Sequence, residues 1–164
     1  MRRLVLLLLL APALVACGSK SSAPTTTAAA TPPDPASAIG GHTVYRGGDW
    51  AVVVKGDNAV ALHLVGDVWQ PDRTGRVKVT FLGTNAVQPA TSQVAAELVA
   101  PTKLVESALW VDGVELLEKG GGLTATRGTI YGSATNLAKG KHVAVAYART
   151  ANAATAVARV FRVR

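Results

Sequence analysis

Cysteine is almost missing from this chain: of 164 residues, only Cys17 carries a thiol. An intramolecular disulfide is excluded, so any folded part rests on side-chain packing and backbone hydrogen bonds. Aromatic residues make up only 5% of the sequence and charged residues 16%, against an abundance of Ala, Val, Thr and Gly. That balance suits thin β-structure and disfavours a large helical core or an enzyme with a deep pocket. A long apolar run is lacking too, because the stretch from Leu4 to Val15 is interrupted by Pro12 and a spanning helix needs about 20 residues. Acid is scarcer than base: the formal charge is +7, and subtracting Arg2 and Arg3, which lie in a segment read below as removed, leaves +5. The remaining Lys and Arg residues are scattered from Lys20 to Arg164 rather than clustered with aromatic or helical reading elements, which argues against a nucleic-acid partner. Such a charge fits a weak attraction to anionic headgroups or acidic envelope polymers.

Residues 1–16 have the layout of a secretory signal, with Arg2 and Arg3 as a positive start and a short apolar stretch behind them. The stretch ends in Leu14-Val15-Ala16-Cys17, which resembles the bacterial lipobox. Small side chains let a peptidase approach the scissile bond, and a thiol is the nucleophile that accepts a diacylglyceryl group as a thioether. The resemblance implies cleavage between Ala16 and Cys17, lipidation of Cys17, and an extracytoplasmic protein anchored to the bacterial cell membrane through its N-terminal lipid.

Residues 17–38 then form a Ser, Thr and Pro-rich linker behind the lipidated cysteine. From Gly18 to Ala38 there is almost no bulky apolar side chain, so the segment reads as a disordered tether. A flexible chain of that length spans roughly 25 Å, which holds the domain off the bilayer by more than a Debye length, about 8 Å.

Beyond Gly41 the pattern becomes short apolar alternations divided by turn residues, the mark of an all-β sandwich or barrel. Trp50 to Lys55, the turn Gly56-Asp57-Asn58 and Ala59 to Val65 read as a β-hairpin, placed in an N-terminal hairpin region, residues 39–73. Arg76 to Leu82 alternates strictly, with Val77, Val79 and Phe81 inward and Arg76, Lys78 and Thr80 outward. Further strands are expected at 93–99, with a helical turn as the alternative, and at 107–112, 128–132, 141–149 and 155–163. The last breaks alternation at Val160-Phe161, which calls for a bulge or burial on both faces.

Trp110-Val111-Asp112-Gly113, Ile130-Tyr131-Gly132, the run from Leu137 to Val145 and the closing Val160-Phe161-Arg162-Val163 together resemble bacterial immunoglobulin-like domains. The resemblance covers residues 74–164 and implies an immunoglobulin-like antiparallel β-sandwich, with the hairpin extending one sheet. It also implies a non-catalytic binding or interaction module of the cell envelope, with an envelope protein or polymer as partner. A second similarity, to periplasmic copper carriers, implies a metal site on His42 and His142, although their Asp-Gly-His signature is absent here.

No carboxylate stands in a catalytic motif, since Asp57 and Asp112 sit in glycine turns. No Gly-x-Ser-x-Gly elbow is present, and His42, His63 and His142 are too far apart in sequence for a short-spaced zinc motif. No cofactor is expected. The candidate contact surface comprises Trp50, Trp69 and the triglycine Gly120, Gly121 and Gly122, whose missing side chains allow close backbone approach.

Overall fold

A computed structural model describes residues 31–83, 86–116 and 126–164. Ala16, Cys17 and the triglycine Gly120 to Gly122 lie outside these residues. The chain order is α1 (Pro35–Ile39), β1 (His42–Gly47), β2 (Trp50–Lys55), β3 (Asn58–Val65), β4 (Val68–Pro71), β5 (Lys78–Phe81), β6 (Val87–Gln88), β7 (Ser92–Val99), β8 (Glu106–Val111), β9 (Val114–Glu115), β10 (Arg127–Ala134), β11 (Gly140–Arg149) and β12 (Ala154–Val163). The described residues are all-β apart from one short helix.

The strands form three sheets: β1-β2-β3-β4, β10-β7-β5 and β6-β12-β11-β8-β9. Pairing is antiparallel throughout, except where Arg162 and Val163 of β12 run parallel to Val87 and Gln88 of β6. The five-stranded sheet lies in the middle because β11 is apolar on both faces. Its Ala144, Ala146 and Ala148 join Val79, Leu98 and Ile130 of the three-stranded sheet in one core. Its Val145 and Tyr147, with Trp110 of β8, join Trp50, Val52 and Val54 of the four-stranded sheet in another. Residues 32–164 form one compact unit.

The hairpin of β2 and β3 is present, but it does not extend either sheet of the sandwich. It forms the centre of a separate sheet, because both of its faces are apolar. One face packs on β11, and the other carries Ala51, Val53 and Leu62 into a third core with Trp69. That outer core is closed by α1. Asp34 caps the helix by accepting from Ala36 N at 3.1 Å, with Pro35 in the first turn, and Ala36 and Ile39 pack against the core. Trp69 Nε1 donates to Pro33 O at 2.7 Å. Residues 33–38, at the distal end of the stretch read as a linker, are therefore part of the folded layer.

Strand β7 covers the segment for which a helical turn was the alternative. Along β5 and the residue before it the expected alternation holds: Val77 and Val79 are buried while Lys78 and Thr80 are exposed. The pairing of β12 with β11 runs without a shift from Gly140↔Val163 to Arg149↔Ala154. The irregular closing pattern thus reflects burial on both faces, with Phe161 and Val163 in the core toward the three-stranded sheet and Ala154 in the core toward the four-stranded one.

Candidate functional site

The five-stranded sheet ends at β9 and the three-stranded sheet at β10, and the sandwich opens between them. Leu116, just past β9, bridges this seam: a Cβ on Gly132 of β10 would stand 2.4 Å from the Leu116 Cβ, so glycine at 132 is what lets the two edges approach. Beside this contact is a cavity of about 390 Å³. Val111 and Ala134 form its buried floor, with Leu116 and Leu137 half-buried at its sides. Asp112, Glu115, Ser133 and Thr135 make an exposed polar rim. An apolar floor with a few polar groups at the mouth is the general form of a ligand pocket.

The two lips of the cavity are tied by His142. Its Nδ1 lies 2.6 Å from Asp112 Oδ2 in the β8–β9 turn, and its Nε2 lies 2.7 Å from Ala138 O in the β10–β11 connection. Asp112 Oδ1 also accepts from Val143 N at 2.9 Å. Asp112 adopts φ 50 and Gly113 φ 81, the left-handed pair that a tight two-residue hairpin turn requires, and this turn aims the carboxylate back at the ring. A carbonyl on one nitrogen and a carboxylate on the other both call for N–H donors, so the arrangement favours the imidazolium. The hydrogen bond to Asp112 and then the one to Ala138 raise the His142 pKa above its ordinary 6.5, against the opposing effect of burial.

A second polar group sits between the four-stranded and five-stranded sheets. Tyr45 of β1 donates its hydroxyl to Glu106 Oε1, and Arg149 Nε donates to Glu106 Oε2 at 2.5 Å. Tyr45 also belongs to an aromatic cluster with Trp110 and Tyr147, whose ring centroids are 5.3 to 6.4 Å apart. Burial, then the hydrogen bond to Glu106 and its charge, push the Tyr45 pKa up to about 12. This group locks one sheet onto the next, and a phenol held so firmly protonated is not a general base at neutral pH.

The expected contact tryptophans are not available as a surface. Trp50 is 5% and Trp69 4% exposed, because each lies at a sheet interface or under α1. Trp50 stacks on His63 at 4.2 Å between ring centroids, and Trp69 is covered by Pro33 and by Arg46, whose guanidinium stands 5.5 Å from the ring centroid. His42 is exposed at the start of β1, in the four-stranded sheet, while His142 is buried in the five-stranded one. With both ring nitrogens of His142 committed to protein atoms, it offers no lone pair to a metal while those bonds hold. Among the described residues no group of three or more His, Cys, Asp or Glu residues could hold a metal ion, and no helix is long and apolar enough to cross a membrane.

Sequence reasoning singled out His142 as a candidate metal ligand and Asp112 as a turn residue, without bringing the two together. It gave no role to Tyr45, Glu106 or Arg149, and it missed the cavity altogether. No family model matches the chain, and no curated protein matches it.

Proposed function

We propose that this protein is a lipid-anchored, extracytoplasmic, non-catalytic binding module of the bacterial cell envelope, receiving its ligand in the cavity at the seam of its sandwich. The observation that carries the reading is the seam cavity itself, an apolar recess with a polar rim whose lips are joined by His142. The N-terminal segment supplies the setting: the lipobox-like Leu14 to Cys17 and the Ser, Thr and Pro-rich stretch behind it fit a domain tethered to a membrane surface.

The strand order favours an immunoglobulin-like sandwich within this all-β fold. The sheet β10-β7-β5 matches the E-B-A order, and β12-β11-β8-β9 matches G-F-C-C′. Two departures go with the additional sheet. No cysteine pair joins the sheets, and Trp110 on the C-like strand turns to the core shared with Trp50 and Tyr147.

The binding reading is tested by placing a photo-crosslinking side chain at Val114, which lines the rim and is 67% exposed, in the envelope-anchored protein. A discrete adduct is expected there and not at the exposed Val105, and Thr135→Trp, which fills the cavity from its exposed edge, should abolish it. Equal labelling at both positions would sink the idea. Anchoring is tested separately: Cys17→Ser should move the protein from the membrane fraction to the soluble extracytoplasmic fraction, and a variant that stayed membrane-bound would remove the lipid from the reading.

A further inference from the structure

Beside the β2–β3 turn, three cations line one open concavity of about 860 Å³ that shares no lining residue with the seam cavity. Lys55 comes from the end of β2, Arg73 from the connection after β4, and Lys141 from the start of β11. We propose that this concavity is a binding site for a phosphoryl group, a claim that stands independently of the seam cavity.

The argument is one of charge and unused donors. Lys55 Nζ donates to Ile39 O at 2.7 Å and Lys141 Nζ to Asp57 Oδ1 at 2.5 Å, so each ammonium keeps two further N–H donors. Arg73 is exposed, with no side-chain hydrogen bond or ion pair among the described residues, and presents its whole guanidinium fork. Asp57 is the one carboxylate that lines the concavity, so three cations face one anion. Clustered charge of one sign is unfavourable until a counter-charge arrives. Asn58 adds an amide to the rim, while Ile39, Val60 and Pro71 give an apolar floor.

A phosphoryl group suits this set better than a single carboxylate. Its oxygens can accept a bidentate guanidinium and two ammonium donors at once, and its charge offsets the excess of cations over Asp57. The apolar floor accommodates the carbon skeleton of an ester. Two sources share this chemistry, a lipid headgroup and a soluble phosphate ester, and the test separates them.

The exported full-length chain carrying Cys17→Ser, which removes acylation as a source of membrane affinity, is titrated with glycerol 1-phosphate. Amide resonances are followed with chloride at matched ionic strength as the control. Saturable shifts at Lys55, Asn58, Arg73 and Lys141 are expected, and Arg73→Gln should weaken binding at least tenfold. Lys103→Gln, an exposed charge of the same sign elsewhere, should change it less than twofold. The same variants are then sedimented with phosphatidylglycerol or phosphatidylcholine vesicles. Arg73-dependent binding to phosphatidylglycerol identifies a headgroup as the source, and Arg73-dependent binding of the soluble ester alone identifies a free phosphate ester. Shifts no larger than those with chloride, or equal losses in Arg73→Gln and Lys103→Gln, overturn the proposal, because they reduce it to diffuse attraction.

Discussion

Tyr45 lies across Gly47. A Cβ at residue 47 would stand 2.0 Å from the Tyr45 hydroxyl and 2.7 Å from its Cζ, so the bare backbone is the bed on which the phenol rests. Residues i and i+2 of a strand share a face, and an aromatic ring covering a glycine at a sheet edge compensates for the missing side chain. The ring thereby carries its hydroxyl to Glu106, joining the edge strand β1 to the central sheet. Gly47→Ala must push the ring aside, and the expected cost is about 1 to 3 kcal/mol. It is read as a lower urea midpoint at unchanged slope.

Glu106 is the hinge of the same contact, since its two oxygens serve Tyr45 and Arg149. Its side chain is 26% exposed and that of Arg149 is 25%, so solvent shields the pair only in part. Glu106→Ala leaves a guanidinium and a phenol unpartnered at once, and a loss of about 2 to 3 kcal/mol is expected, below the cost at a fully buried pair. A double-mutant cycle of Tyr45→Phe with Glu106→Gln should show coupling of about 1 kcal/mol. Additive losses would mean that the two groups act separately.

Strand β5 and the β2–β3 hairpin were legible because simple rules applied to them. Val77 and Val79 alternate with exposed Lys78, and Gly56-Asp57 marks the turn between two apolar runs. Strand β1 was not legible, because Thr43, Val44 and Tyr45 are all half-buried and the register slips between Thr43 and Tyr45. Nor was β4, four residues long and ending in Pro71. Trp50 and Trp69 misled because a sparse aromatic set looks like a binding surface when the sheet that covers it cannot be foreseen. The charged residues hid for a related reason. Lys55, Arg73 and Lys141 are scattered along the chain, yet the topology gathers them around one hollow. The seam cavity joins residues 111–116 to 133–137, a meeting set by which strands end at the sheet edges.

His142 makes stability depend on pH in one direction. Its folded pKa is raised above 6.5, first by the bond to Asp112 and then by the bond to Ala138. The stabilisation is therefore fully present below the unfolded pKa and is lost as pH rises through the folded value. Urea midpoints should fall from weakly acidic to mildly alkaline solution, measured above about pH 5 so that the carboxylates remain ionised. His142→Leu should flatten that dependence over the same window. Because the same bonds join the lips of the seam cavity, crosslinking at Val114 should change in parallel with the titration.

Tyr147 supplies the opposite test to Tyr45, although their ring centroids are 5.3 Å apart. Its side chain is fully buried, and its hydroxyl has no hydrogen-bond partner among the described residues. Burial, then the charge of Glu106, raise its pKa well above the ordinary 10, so the group stays neutral and its oxygen is held out of water without compensation. Removing that oxygen should relieve a desolvation cost of about 1 to 2 kcal/mol. Tyr147→Phe is accordingly expected to leave stability unchanged or to raise it, while Tyr45→Phe, which takes a donor from Glu106, lowers it by about 1 kcal/mol. Comparison of the two urea midpoints decides the matter: a Tyr147→Phe variant less stable than the parent by more than 1 kcal/mol, on the order of one hydrogen bond, would mean that the hydroxyl is bonded in solution.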